Sequence, residues 1–224
     1  MATLPNDPIS AARETYREIL RDSFQHTRLF SDQTHRLAQG VVDTPEFEAI
    51  LRDSRQGSLD AARRIGEMAV VHLDTAPDQP GPWWRDLCNY ERGYFLQLAT
   101  TDPAPPTNRP RRGVSALCAT FNWNTPELLK RLTSGVSIGD DLRRPITLLF
   151  SRGSDGKVYV VQVGSQVEKV FRATNGLRTV DQIADAASLA LADTQETLKA
   201  LARIGAVVLA QSPEQMLDSI RARQ

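Results

Sequence analysis

The sequence predicts an α+β fold, with a helical N-terminal half followed by β-strands and then three short helices. Three observations carry this expectation. Apolar residues through the first hundred positions recur at helical spacing. A Pro-rich break over Thr101 to Gly113 ends that pattern. Beyond it, an Asp-Gly turn lies between two β-rich runs and is followed by a capping box and further helical stretches.

The first helix is expected from Ile9 to Phe24, with Ile9, Ala12, Tyr16, Ile19, Leu20 and Phe24 forming one stripe. Pro8 follows Asn6 and Asp7, a favourable first-turn position. A second helix starts at Thr44-Pro45-Glu46-Phe47, with Thr44 as cap and Pro45 as first helical residue. A third covers Ser58 to Leu73, and Asp74 to Pro82 is a Pro- and Gly-containing loop. A fourth carries Trp83, Leu87, Tyr90, Tyr94 and Leu98 on one stripe, with Trp84 and Phe95 beside it. These aromatics are wider than one core face needs. Core packing is the default for them, and a partner interface using Trp83, Trp84, Tyr90 and Tyr94 is the alternative.

Pro103, Pro105, Pro106 and Pro110 exclude a helix and suit an extended connector. Arg109, Arg111 and Arg112 in the same stretch read as a solvated linker, with contact to an acidic partner as the alternative. The expected domains are therefore a helical docking domain at 1–108 and a second domain at 113–224. Val114 to Trp123 is a strand whose membership of the C-terminal module is open. Thr125 to Leu132 is a short helix with Pro126 in its first turn.

The C-terminal module begins with strands at Ile146 to Ser151 and Val158 to Val163. The Ser154-Asp155-Gly156-Lys157 turn between them suggests a type I′ hairpin. The second strand is apolar on both faces and wants cover on both. Val167, Val170 and Phe171 then define a helix ended by Asn175-Gly176. Thr179-Val180-Asp181-Gln182 is a capping box opening the next helix, and Asp193 with Glu196 is expected to cap a third. Leu198, Leu201 and Ala202 line its inner face, Gly205 stops it, and Ala206 to Leu209 is a short β run. Hairpin first, then three helices, is the order of a winged helix.

The run from Val170-Phe171 through Asn175-Gly176 to Thr179-Val180-Asp181-Gln182-Ile183-Ala184, followed by Leu198, Leu201 and Gly205, resembles the PqqD-like peptide-recognition element. The resemblance covers about seventy residues of 224. It implies that the module binds the leader of a ribosomally synthesised precursor peptide. The leader would add as a strand beside Val158, Tyr159, Val160, Val161, Gln162 and Val163, against the helix face of Leu198, Leu201 and Ala202. The whole layout is similar to partner subunits of multinuclear non-haem iron enzymes in peptide natural-product biosynthesis, among them 3-thiaglutamate pathways. That similarity implies a non-catalytic chain in a heterodimer. The iron would sit in the partner, a barrel enzyme, and modification of a C-terminal cysteine is one implied reaction.

Composition narrows the other classes. Hydrophobic residues at 41% and charged residues at 24% allow an ordinary core. Lys and Arg total 27, as do Asp and Glu, so the chain lacks the basic surplus of a nucleic-acid binder. Residues 141–224 hold eleven basic and nine acidic side chains, which leaves a winged-helix DNA-binding regulator as the weaker alternative. No apolar run approaches the ~20 residues of a membrane span, and Met1 to Ser10 lacks a signal-peptide core, so a cytoplasmic location is expected. Cys88 and Cys118 read as small buried hydrophobes. His26, His35 and His72 show no metal-ligand spacing, and no phosphate loop or nucleophile elbow is present. No cofactor is expected in this chain, and Glu91 with Arg92 reads as an ion pair.

Overall fold

The computed structural model describes residues 8–29, 36, 38–75, 79–102 and 107–210. Of the described residues 57% are helical and 12% lie in strands, in the expected order for α+β. The Asn6-Asp7 cap, His35, and Pro103, Pro105 and Pro106 lie outside the described residues. The chain divides into two interleaved compact units: 1–102 with 121–146, and 103–120 with 147–224. The expected split between 108 and 113 is therefore replaced by a discontinuous one. The segment around the Thr125 helix joins the helical unit.

The helical unit contains α1 (Pro8–Ser23), α2 (Pro45–Asp53), α3 (Leu59–Asp74), α4 (Trp84–Ala99) and α5 (Thr125–Thr133). Its boundaries follow from local chemistry. Thr44 accepts a hydrogen bond from the Phe47 N–H (3.3 Å) and Ser58 from the Ala61 N–H (3.2 Å). Each satisfies an amide that the first turn leaves open. The stripe read on α1 becomes core: Ala12, Tyr16 and Leu20 are buried. Tyr16 packs edge-on against Phe47 with ring centroids 5.7 Å apart, and its phenol oxygen accepts from the Gly57 N–H (3.1 Å). A buried tyrosine thereby keeps its polar end paired. α5 contributes Leu128 and Leu129 to the same unit, and the Asp86 carboxylate accepts from the Trp123 N–H (2.8 Å).

The second unit is built on a three-stranded sheet in which β3 and β4 pair antiparallel. β2 (Leu117–Phe121), β3 (Ile146–Arg152) and β4 (Val158–Gln162) lie in that order, so β4 is an edge. Three helices follow: α6 (Ser165–Ala173), α7 (Val180–Ala187) and α8 (Leu191–Arg203). Leu149, Val170, Phe171, Ile183, Leu198 and Leu201 meet in one core. Complete burial of each such side chain stabilises by about 1.5–3 kcal/mol. The capping box at Thr179 is present. Its hydroxyl accepts from the Gln182 N–H (3.4 Å), and Gln182 Oε1 accepts from the Thr179 N–H (3.0 Å). Thr179→Ala is expected to lower stability by about 1 kcal/mol in chemical denaturation.

The hairpin turn is not type I′, because Asp155 does not adopt positive φ and Gly156 does (φ +79°). The Gly156 N–H donates to the Gly153 carbonyl (3.0 Å) and the Gly153 N–H to the Lys157 carbonyl (2.9 Å). This is a three-residue loop closed by glycine in the left-handed region. The third helix starts at Leu191 after Ala190, with no side-chain cap, so Asp193 and Glu196 lie within the helix instead of opening it.

The described end of the connector is tied down. β1 (Arg111–Arg112) pairs antiparallel with β5 (Val207–Val208), and the Gly176 N–H donates to the Pro110 carbonyl (3.1 Å). Glu91 does not pair with Arg92. Arg92 reaches Glu67 (3.5 Å), whereas Glu91 Oε1 faces the His26 Nδ1 (3.1 Å).

Candidate peptide-binding groove

Hydrogen bonding across the hairpin fixes which way each β4 backbone group points. The register sets Leu149 opposite Val161 and Phe150 opposite Val160. The Val163 N–H donates to the Thr147 carbonyl (3.0 Å), and Lys157 accepts at the other end. Paired residues alternate along an antiparallel ladder. Positions 157, 159, 161 and 163 thus address β3, and the N–H and C=O groups of Val158, Val160 and Gln162 point away from it. Among the described residues no strand pairs with that outer edge.

The side chains alternate in the same way. Val161 and Val163 lie against the helical core of the unit. Beside them runs a groove of about 390 Å³. α6 contributes Val167, and α8 with its cap contributes Glu196, Thr197, Ala200, Leu201 and Ile204. Val161, Val163, Val167 and Ile204 are half-buried, Leu201 is buried, and Glu196 and Ala200 are exposed. An apolar floor therefore lies next to an unpaired backbone edge. That combination can accept an extended chain: main-chain groups on the edge and alternate side chains in the groove.

The structure separates the sequence candidates. Val158, Tyr159, Val160, Val161, Gln162 and Val163 are brought together as the edge strand and its continuation. Leu201 lines the groove. Leu198, 2% exposed, belongs to the core stripe, and Ala202 is not among the lining residues. The groove stripe on α8 is Glu196/Thr197, Ala200 and Ile204, rotated from the core stripe of Leu198 and Leu201. Its signal in the sequence was the helical spacing of four from Glu196 to Ala200 to Ile204. Small and polar residues there gave no hydrophobic contrast to mark it.

The partner-interface candidates fare differently. Trp83 (6%) and Trp84 (1%) are buried, and the Trp84 Nε1–H donates to the Leu73 carbonyl (3.3 Å). They pack within the chain, which corrects their placement on a docking surface. Tyr90 and Tyr94 are half-buried; Tyr90 lies 6.4 Å from the Phe121 ring, and burial pushes its phenol up to about 12. Arg109 donates to the Leu177 carbonyl, and the Arg112 guanidinium stands 5.8 Å over the Phe171 ring. Arg111 lies in the β1–β5 ribbon. The arginines thus brace the second unit instead of forming a free linker patch.

A cavity of about 560 Å³ in the helical unit, between α2 and α3, is lined by Arg64, Glu67, Met68 and His72 among others. Its described lining comes from two helices, whose backbone groups are paired within each helix, so it offers no strand edge to an extended chain. Cys88 is fully buried and its thiol is pushed well above the ordinary range by that burial. Cys118 is half-buried, its thiol raised to about 11 by burial and by nearby Glu168. Neither is an activated nucleophile. Among the described residues no group of three His, Cys, Asp or Glu is placed to hold a metal ion, and no helix is long and apolar enough to cross a membrane. No protein-family model and no curated protein matches the chain.

Proposed function

We propose that this chain is a substrate-recognition subunit that binds the leader of a ribosomally synthesised precursor peptide as a strand along β4. In this reading it presents the peptide to an iron-dependent partner enzyme and performs no chemistry itself. The observation that carries the peptide part is the outward backbone edge of Val158, Val160 and Gln162 lying beside the apolar groove under α8. The iron-containing partner rests on the family resemblance of the second unit and on the layout of the chain.

The edge supplies a selective test. Proline at Val160 removes an N–H that points away from β3, so the internal ladder keeps its bonds. Proline at Val161 removes a ladder bond. In calorimetric titration with the precursor peptide encoded beside the gene, Val160→Pro is expected to weaken binding at least tenfold while thermal stability falls little. Val161→Pro is expected to unfold the unit. Binding unchanged by Val160→Pro would overturn strand addition. Copurification with an iron-containing protein on coexpression tests the partner.

A further inference from the structure

The groove is not uniformly apolar. Among the described residues Glu196 is the one charged side chain that lines it; the cations of α8, Lys199 and Arg203, do not. Glu196 is exposed, and its carboxylate lines the groove with no ion-pair partner among the described residues. Along α8 it is separated from Ile204 by eight residues, about 12 Å at helical rise. An extended chain covers that distance in about four residues, and residues four apart share a face.

We infer that the groove selects an extended peptide bearing a Lys or Arg about four residues from an apolar anchor, with Glu196 as the specificity-determining residue. This rests on the reading that the groove takes a strand along β4. The anchor sits on the floor formed by Val161, Val163 and Ile204, shielded from water. The basic side chain reaches the rim, where a cation pairs with Glu196 at little desolvation cost. An acidic residue at the same point meets a like charge. A rim pair of this kind discriminates by about fivefold, and the preference fades as salt screens it.

The probe is a displayed library of random twelve-residue peptides, panned against the full chain and against the Glu196→Lys and Val160→Pro variants. Peptides that bind the wild type and are lost on Val160→Pro are expected to carry Lys or Arg four positions from an aliphatic or aromatic residue. Panning on Glu196→Lys is expected to replace that cation with Asp or Glu. Enriched peptides that depend on the β4 edge, yet show no charge at that position and no change with Glu196→Lys, would overturn the inference and leave strand binding standing. An absence of any peptide sensitive to Val160→Pro would overturn both. So would a concentration-dependent dimer abolished by Val160→Pro, since the edge would then belong to a second copy of this chain.

Discussion

Gly205→Ala is expected to destabilise the second unit by about 2–5 kcal/mol, the sum of a backbone and a steric cost. Gly205 follows α8 with φ +74°, where an L side chain is strained. A Cβ there would lie 2.1 Å from the Arg152 carbonyl oxygen and 2.8 Å from its carbon. Neither atom can rotate aside as a flexible side chain would, so either β3 or the end of α8 must shift. The same corner is pinned by Ser151, whose hydroxyl donates to the Ile204 carbonyl (2.8 Å). A shift would carry Ile204 out of the groove floor, so on the proposed peptide-binding reading a loss of binding is expected together with the loss of stability. Urea unfolding measures the first effect and titration at a temperature where the variant remains folded measures the second. A variant as stable as the wild type would show that the corner relaxes freely.

The second large effect is expected at Glu91, fully buried on α4. Its Oε1 accepts from the His26 backbone N–H (2.6 Å) and faces the His26 ring, while Oε2 has no hydrogen-bond partner among the described residues. Glu91→Ala leaves buried donors unpaired and opens a cavity, and about 2–4 kcal/mol of stability should be lost. Glu91→Gln keeps a carbonyl acceptor and is expected to lose less. Burial raises the carboxyl above its ordinary value, and the His26 hydrogen bonds oppose the rise only in part. The folded state therefore holds the proton more tightly than the unfolded one. The sign of the linkage follows: this contribution is fully present below about pH 4.5 and is lost as pH rises through the folded value. Stability of the wild type relative to Glu91→Gln should decline as pH rises above about 4.5. Unfolding curves taken from pH 4 to 8 test this, and a difference independent of pH would refute it.

Most helices were legible because their signals are local. Thr44, Ser58 and Thr179 cap where side chain and amide lie within three residues of one another, and the apolar stripe of α1 becomes buried core. What was not legible depends on distant partners. Arg111 and Arg112 look like part of a proline-rich linker until Val207 and Val208, nearly a hundred residues on, give them a strand to pair with. Glu91 next to Arg92 suggests an ion pair, yet neighbouring residues on a helix point to different sides. Its partner, His26, comes from another helix's end. The groove was half visible. The β-rich run beside the Asp155-Gly156 turn placed the strand, but the hydrophobic stripe of α8 drew attention to Leu198 in the core and away from Ala200 and Ile204 on the groove face.

The interleaving of the units has a consequence for synthesis and for dissection. On the ribosome, the helical unit cannot complete its core until α5 and the residues through Ile146 have emerged. By then β2 of the other unit is already outside, waiting for β3. A fragment cut at 113 would keep residues 121–146, stranding Trp123, Leu128 and Leu129 without the helices that bury them, and the matching fragment 1–108 would lack that cover. The physically natural cut is a loop-out. Removing 121–146 and joining Thr120 to Thr147, whose hydroxyls lie 3.1 Å apart, through a short glycine-containing turn would connect β2 directly to β3, its neighbour in the sheet.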